Sequence, residues 1–156
     1  MSNNDKGSNF REKLKQALTS TAKVISGDLN LNNQINKDKN SNKFDFLDLE
    51  NIGNKSSFIK ARAESDSSAL KRKFSNIDIY NKNLPLNSSY KSLYAIAERI
   101  RYENLGSKML KGVEKNLKEN YTEIVNLKKK DQVKTKDDVP VSEAFELYML
   151  KNFHNI

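Results

Sequence analysis

Along the first stretch of the chain, Phe10, Leu14, Ala17, Leu18, Thr21, Val24 and Ile25 recur at three- and four-residue steps, which sets them on one face of a helix about four turns long. Gly27 follows, in the place where a left-handed residue ends a helix. From Asp28 to Asn42 the chain carries six Asn and keeps no period, so it reads as a loop. Phe44, Phe46, Leu47, Leu49 and Ile52 then alternate imperfectly with polar residues, which fits a short strand or an extended segment pinned to the core. Helical steps return with Phe58, Ala61 or Arg62, Ser65, Ala69, Leu70, Phe74 and Ile77. They predict a helix over about 57–75, with small residues where a neighbouring helix can approach closely. Leu84-Pro85-Leu86 breaks the pattern, because proline disfavours helix in the residue before it.

The longest apolar stripe runs through Tyr90, Leu93, Ala97, Ile100, Leu105, Met109 or Leu110, Val113, Leu117, Tyr121, Ile124 and Leu127. It predicts one long helix, or two joined near Gly106, with Ser88 or Ser89 as N-cap and Lys128-Lys129-Lys130 at the far end, where positive charge complements the helix dipole. A polar link from Asp131 to Asp138 leads to Pro140, after which Val141, Ala144, Phe145, Tyr148, Met149 and Phe153 form a last amphipathic helix with Pro140 or the residue after it at its first turn. The expected fold is all-α, an irregular bundle of four or five helices with a long Asn-rich loop, in a single domain over 10–156 behind a disordered 1–9.

Composition narrows the function. A chain of 156 residues is too short for two large catalytic domains, while Leu, Ile, Val and Phe make up about a quarter of it, enough to fold. The net charge of +8 raises the question of an anionic partner, yet the charge divides evenly between the two halves and Lys far outnumbers Arg. Bidentate recognition of phosphate or guanine favours Arg, so the distribution argues against a nucleic-acid face. The alternative reading, a basic helical nucleic-acid-binding module, rests on Lys108, Lys111, Lys115 and Lys118, which recur at three- and four-residue steps. No run approaches a membrane span or the apolar core of a signal peptide, so a cytoplasmic protein is expected.

Chemistry-bearing motifs are sparse. There is no Cys, which removes thiolate metal sites and cysteine nucleophiles. The single histidine, His154, stands two residues from the end of the sequence and reads as an exposed terminal residue. No Gly-x-x-x-x-Gly-Lys-Ser/Thr loop is present to wrap phosphates. Asp66-Ser67-Ser68 lacks the further oxygen ligands of a magnesium site. No catalytic, cofactor-binding or metal-binding residue is therefore assigned. Glu98 and Arg101, three apart, share a helix face as an ion pair, and with Glu103 they make a polar patch suited to gripping a partner.

The run Glu98-Arg99-Ile100-Arg101-Tyr102-Glu103-Asn104-Leu105-Gly106, followed by Gly112-Val113-Glu114-Lys115-Asn116-Leu117, resembles the E-Q-A-R-x-E-A-L-G and G-V-x-x-N-L signature of the CobT subunits of cobaltochelatase. Phe10 to Gly27 resembles that family's amino-terminal helix. Arg62, Asp66, Ala69 and Leu70 fit its R-x-x-x-D-x-x-A-L stretch, and Pro140 to Leu150 its P-x-x-E-A-(L/F)-x-L helix. The family's Arg-x-His-Asp sequence after that stretch is replaced here by Lys71-Arg72-Lys73-Phe74. The resemblance implies the amino-terminal region of a subunit that works with an AAA+ partner, CobS, and a large subunit, CobN, to insert cobalt into hydrogenobyrinic acid a,c-diamide. ATP and magnesium then belong to the AAA+ partner, and cobalt is a substrate of the complex. The family's acidic linker and von Willebrand A domain do not occur within the sequence, as expected of an amino-terminal fragment or a short version. Glu98, Arg101, Glu103 and Asn116 are the candidate partner-binding residues, and the downstream acidic linker is a further candidate partner for so basic a chain.

Overall fold

A computed structural model describes residues 3–31, 54–130 and 139–156, with side chains placed from residue 9 onwards and, in the middle block, as far as 128. Among the described residues there are six helices and no strand: α1 Asn3–Ser26, α2 Lys55–Phe74, α3 Ile77–Lys82, α4 Ser88–Met109, α5 Lys111–Lys130 and α6 Val141–His154. The all-α expectation holds, and the count exceeds four or five only through the six-residue α3. The possible strand over 44–52 lies outside the described residues.

The helix ends follow local chemistry. Helix α1 starts ahead of Phe10, where the apolar period begins, and closes at Gly27, whose φ of 75° is the left-handed cap the sequence implies. Helix α2 opens on Asn54, whose side chain accepts from the Ser57 backbone N–H while the Ser57 hydroxyl lies 3.3 Å from the Asn54 N–H, a reciprocal capping box. Helix α4 is capped by Asn87, one residue before the serines expected there, its Oδ1 accepting from the Ser89 N–H at 2.9 Å. The long stripe divides into two helices at Leu110, four residues beyond Gly106.

Helix α2 lies at the centre, packed against α1, α4 and α5, while α4 also meets α5 and α6. The core joins Ala22 and Ile25 of α1, Ala63, Ala69 and Leu70 of α2, Ile100 and Tyr102 of α4, Val113, Leu117 and Tyr121 of α5, and Leu150 of α6. Gly106 lets α4 press directly on Leu70. Asp28, just past α1, pairs with Arg72 in the last turn of α2 at 3.1 Å. The C-terminal ends of these two helices are thus side by side.

Candidate functional site

The polar residues of the matched motifs divide between the interior and the surface. Glu103 on α4 is 1% exposed and stands where four helices converge. Its Oε1 accepts from the Ser67 hydroxyl of α2 at 2.5 Å, and its Oε2 accepts from the Tyr121 hydroxyl of α5 at 2.6 Å. His154, near the end of α6, brings its Nε2 to 3.9 Å from the same Oε2, beyond hydrogen-bond reach. The two rings, Tyr121 and His154, lie 5.6 Å apart between centroids. One turn before Glu103, Arg99 sits against the Tyr121 ring and pairs with Glu146 of α6 at 2.5 Å. Ser67, Glu103, Tyr121 and His154 thus bring α2, α4, α5 and α6 together at one carboxylate.

His154 is therefore not an exposed terminal residue. It falls four residues after the buried Leu150 on the inner face of α6, and Ile156, beyond the left-handed Asn155, packs back against the core. An αL residue followed by an apolar contact is a common way to finish a helix. It keeps the imidazole covered.

Protonation follows from this burial. Loss of water raises the pKa of the Glu103 carboxyl above its ordinary value, against the opposing pull of the Ser67 and Tyr121 hydroxyls and of Arg99. Burial, then the neighbouring Glu103 carboxylate, drives the Tyr121 phenol upward. Burial, followed by the charge of Arg99, lowers the pKa of His154 and favours its neutral form. No hydrogen bond reaches the buried Nε2 of His154, the Nε of Arg99 or the Oγ of Ser107 one turn beyond Glu103.

A second enclosed pair lies between α2 and α5. Asn116 Nδ2 donates to Asp66 Oδ2 at 2.6 Å, and both side chains are buried. Burial raises the Asp66 pKa, opposed by the Asn116 hydrogen bond and the Arg62 charge. Asp66 thus serves a helix interface, and among the described residues no group of three His, Asp or Glu is arranged to hold a metal ion.

Arg101 sits half exposed at the surface, with Glu98 largely covered beside it. The Arg101 guanidinium donates to both carboxylate oxygens of Glu98, at 2.6 and 2.8 Å, and to the Phe74 carbonyl at the end of α2 at 2.7 Å. The Ser75 hydroxyl donates to Glu98 as well. The Arg101 hydrogen bond, helped by the Ser75 hydrogen bond and the nearby positive charges, lowers the Glu98 pKa against the opposing effect of burial. This fork ties α4 to the α2–α3 corner and leaves Arg101 half exposed. Of the four candidate partner-binding residues, Arg101 is half exposed at the surface over a largely covered Glu98, whereas Glu103 and Asn116 have their side chains inside, paired with other helices.

On the lysine-bearing side of α5, Lys111 pairs with Glu114 at 2.9 Å and Lys115 lies 3.9 Å from Glu119. The face carries its own acids. Lys128 reaches Glu143 at the start of α6 at 2.8 Å. Sequence reasoning missed the buried column, although Ile100, Glu103 and Ser107 follow at helical steps on one stripe. An acid set among apolar positions was the available signal.

The fold and this column define a small helical module whose buried acid and base groups meet across helix interfaces. The chain belongs to the CobT family: the model for the cobalamin biosynthesis protein CobT matches residues 8–152. Its role lies in cobalamin biosynthesis. No curated protein and no solved structure matches it. Among the described residues no helix is long and apolar enough to cross a membrane.

Proposed function

We propose that this chain is a non-catalytic assembly module of an ATP-dependent cobaltochelatase, working in the cytoplasm. It docks to the AAA+ subunit CobS and to the large subunit CobN, which inserts cobalt into hydrogenobyrinic acid a,c-diamide. Nucleotide and magnesium are held by the AAA+ subunit, and cobalt enters as substrate of the complex. The reading rests on family membership together with one structural observation: the polar residues of the matched motifs are divided between bracing the helices and a single surface fork. Glu103 and Asn116 bind neighbouring helices, so their chemistry is structural. Arg101, held by the largely covered Glu98, presents a half-exposed guanidinium at the surface, which fits recognition of a partner by charge. The net charge of +8 also suits an acidic linker or partner surface, through interactions that weaken as salt rises.

Co-elution of the purified chain with the AAA+ subunit or the large subunit on size exclusion tests the reading. A stable complex with either, weakened when Glu98 and Arg101 are both replaced by Ala, is the expected result. Separate elution from both, under conditions where the two subunits bind a CobT protein that carries all its domains, would count against it.

A further inference from the structure

Helix α4 carries a second stripe, turned away from the bundle. Its inner side holds Ile100, Tyr102, Glu103, Gly106 and Ser107, all buried. On the other side Tyr90, Tyr94, Ala97, Arg101, Leu105 and Lys108 follow one another at three- and four-residue steps, and at about 100° per residue they share one sector of the helix. Met109 flanks it. Such spacing is that of a helix packed lengthwise against a neighbour. Tyr80 of α3 covers part of Tyr94, their ring centroids 5.0 Å apart, but from Arg101 onward the stripe stays accessible: Leu105 is 38% and Met109 60% exposed, with Arg101 and Lys108 exposed beside them.

We propose that this face of α4 receives an acidic amphipathic helix of a partner subunit, whose apolar residues lie on Leu105 and Met109 and whose carboxylates meet Arg101 and Lys108. The inference rests on the reading of the chain as an assembly module, and it states which surface binds and what chemistry the partner presents. Charge selects the occupant. Glu98, the acid of this sector, is largely covered and has both carboxylate oxygens taken by Arg101, while Lys108 has no ion pair among the described residues. The face is therefore left positive. A second copy laid on the same face would set Arg101 and Lys108 against cations of their own kind, in a chain whose net charge is +8. A nucleic-acid backbone would meet the cations but leave Leu105 and Met109 without an apolar partner. An acidic helix with one apolar side satisfies both kinds of group: apolar anchors at helical spacing supply burial, and its carboxylates fix orientation and register.

The chain has no cysteine, so Leu105→Cys and Met109→Cys each supply a single thiol on this face, at positions whose exposure lets folding tolerate the change. Val24→Cys, on the 74% exposed side of α1, supplies a control away from it. Alkylation is followed by mass spectrometry of this chain, free and with a saturating amount of the AAA+ subunit or the large subunit. In the complex the thiols at 105 and 109 should react at least about tenfold more slowly than in the free chain, while the thiol at 24 keeps its free rate. Lys108→Glu, which leaves the fork between Glu98 and Arg101 intact, should weaken the complex at least about fivefold at low salt, a difference that shrinks as salt rises. Thiols at 105 and 109 that keep their free rate inside a formed complex overturn the inference and leave the assembly reading standing, as does a complex indifferent to Lys108→Glu. A chain that forms no complex with either subunit overturns the assembly reading and the inference with it. Protection produced by random duplex DNA in place of the subunits overturns the inference in favour of nucleic acid, and protection that grows with the concentration of the chain alone overturns it in favour of a second copy.

Discussion

Replacing Gly106 by Ala puts a methyl carbon where the structure has no room for one. An ideal Cβ at that position lies 2.2 Å from Cδ2, 2.5 Å from Cδ1 and 2.9 Å from Cγ of Leu70. Leu70 is 1% exposed and belongs to the central cluster with Ile100, Val113 and Leu117, so it has no open space to retreat into. Overpacking of this kind costs about 1–3 kcal/mol, and three overlaps within the core place Gly106→Ala at the upper end. Alanine recovers about 0.8–1 kcal/mol of helix propensity. The net expectation is a loss of about 2 kcal/mol, or a fall of about 4–8 °C in Tm for a chain of this size. Urea unfolding followed by circular dichroism measures it. The sharper readout is a double-mutant cycle. Leu70→Ala alone should cost about 2–5 kcal/mol, but less in the Gly106→Ala background, where the new methyl occupies part of the vacated space. A coupling of at least about 0.5 kcal/mol toward rescue is expected. Additivity, or a Gly106→Ala variant more stable than the parent, would refute the close α4–α2 contact.

The remaining predictions probe the buried column and the surface fork. Because His154 is the only histidine, its imidazole resonances are unambiguous in NMR, and their titration midpoint should lie below the ordinary 6.5. The neutral ring then contributes stability that is present above 6.5 and lost as pH falls toward the folded midpoint; a midpoint at or above 6.5 contradicts the burial. Glu103 acts in the opposite sense: its raised pKa gives stability present below 4.5 and lost as pH rises through the folded value, so Glu103→Gln should gain on the parent with rising pH in denaturation series. Asn116→Ala leaves the Asp66 carboxylate buried without its hydrogen bond and should cost about 1–3 kcal/mol in urea unfolding, with part recovered in acid as Asp66 is protonated. Substituting Arg101 by Ala removes a half-exposed guanidinium and should change stability by about 1 kcal/mol or less, so that any loss of partner binding is separable from unfolding.

Most of the fold was legible in the apolar periodicity, because long helices repeat the signal over several turns. Gly27 and Pro140 marked their boundaries through backbone geometry alone. Helix α3 escaped notice because it is only six residues long and Ile77 and Ile79 stay exposed, leaving no buried stripe to read. The break at Leu110 was invisible because the stripe continues through it, and Gly106 proved to mark a close helix contact four residues earlier. The interior roles of Glu103 and Asn116 were partly legible: each sits in register with apolar neighbours, Ile100 in one case and Val113 with Leu117 in the other. What the pattern did not contain was the partner across the interface. Ser67, Tyr121 and His154 are far from Glu103 in sequence, and only packing brings them to it. His154 was misread because nearness to the end of the sequence was taken for exposure, whereas the Leu150–His154 spacing pointed inward.

The proposed role is binding within a cobalt-inserting complex, with the chain's buried Glu103 and His154 enclosed between helices. Calorimetric titration of the folded chain into the AAA+ subunit in the presence of nucleotide tests it most directly. Saturable binding is expected, weakened at least about tenfold when Glu98 and Arg101 are replaced by Ala, a loss of about 1.4 kcal/mol, with little change for the interior Glu103→Gln. No heat of binding to the AAA+ subunit, or binding indifferent to the surface fork but abolished by Glu103→Gln in a folded variant, would contradict it.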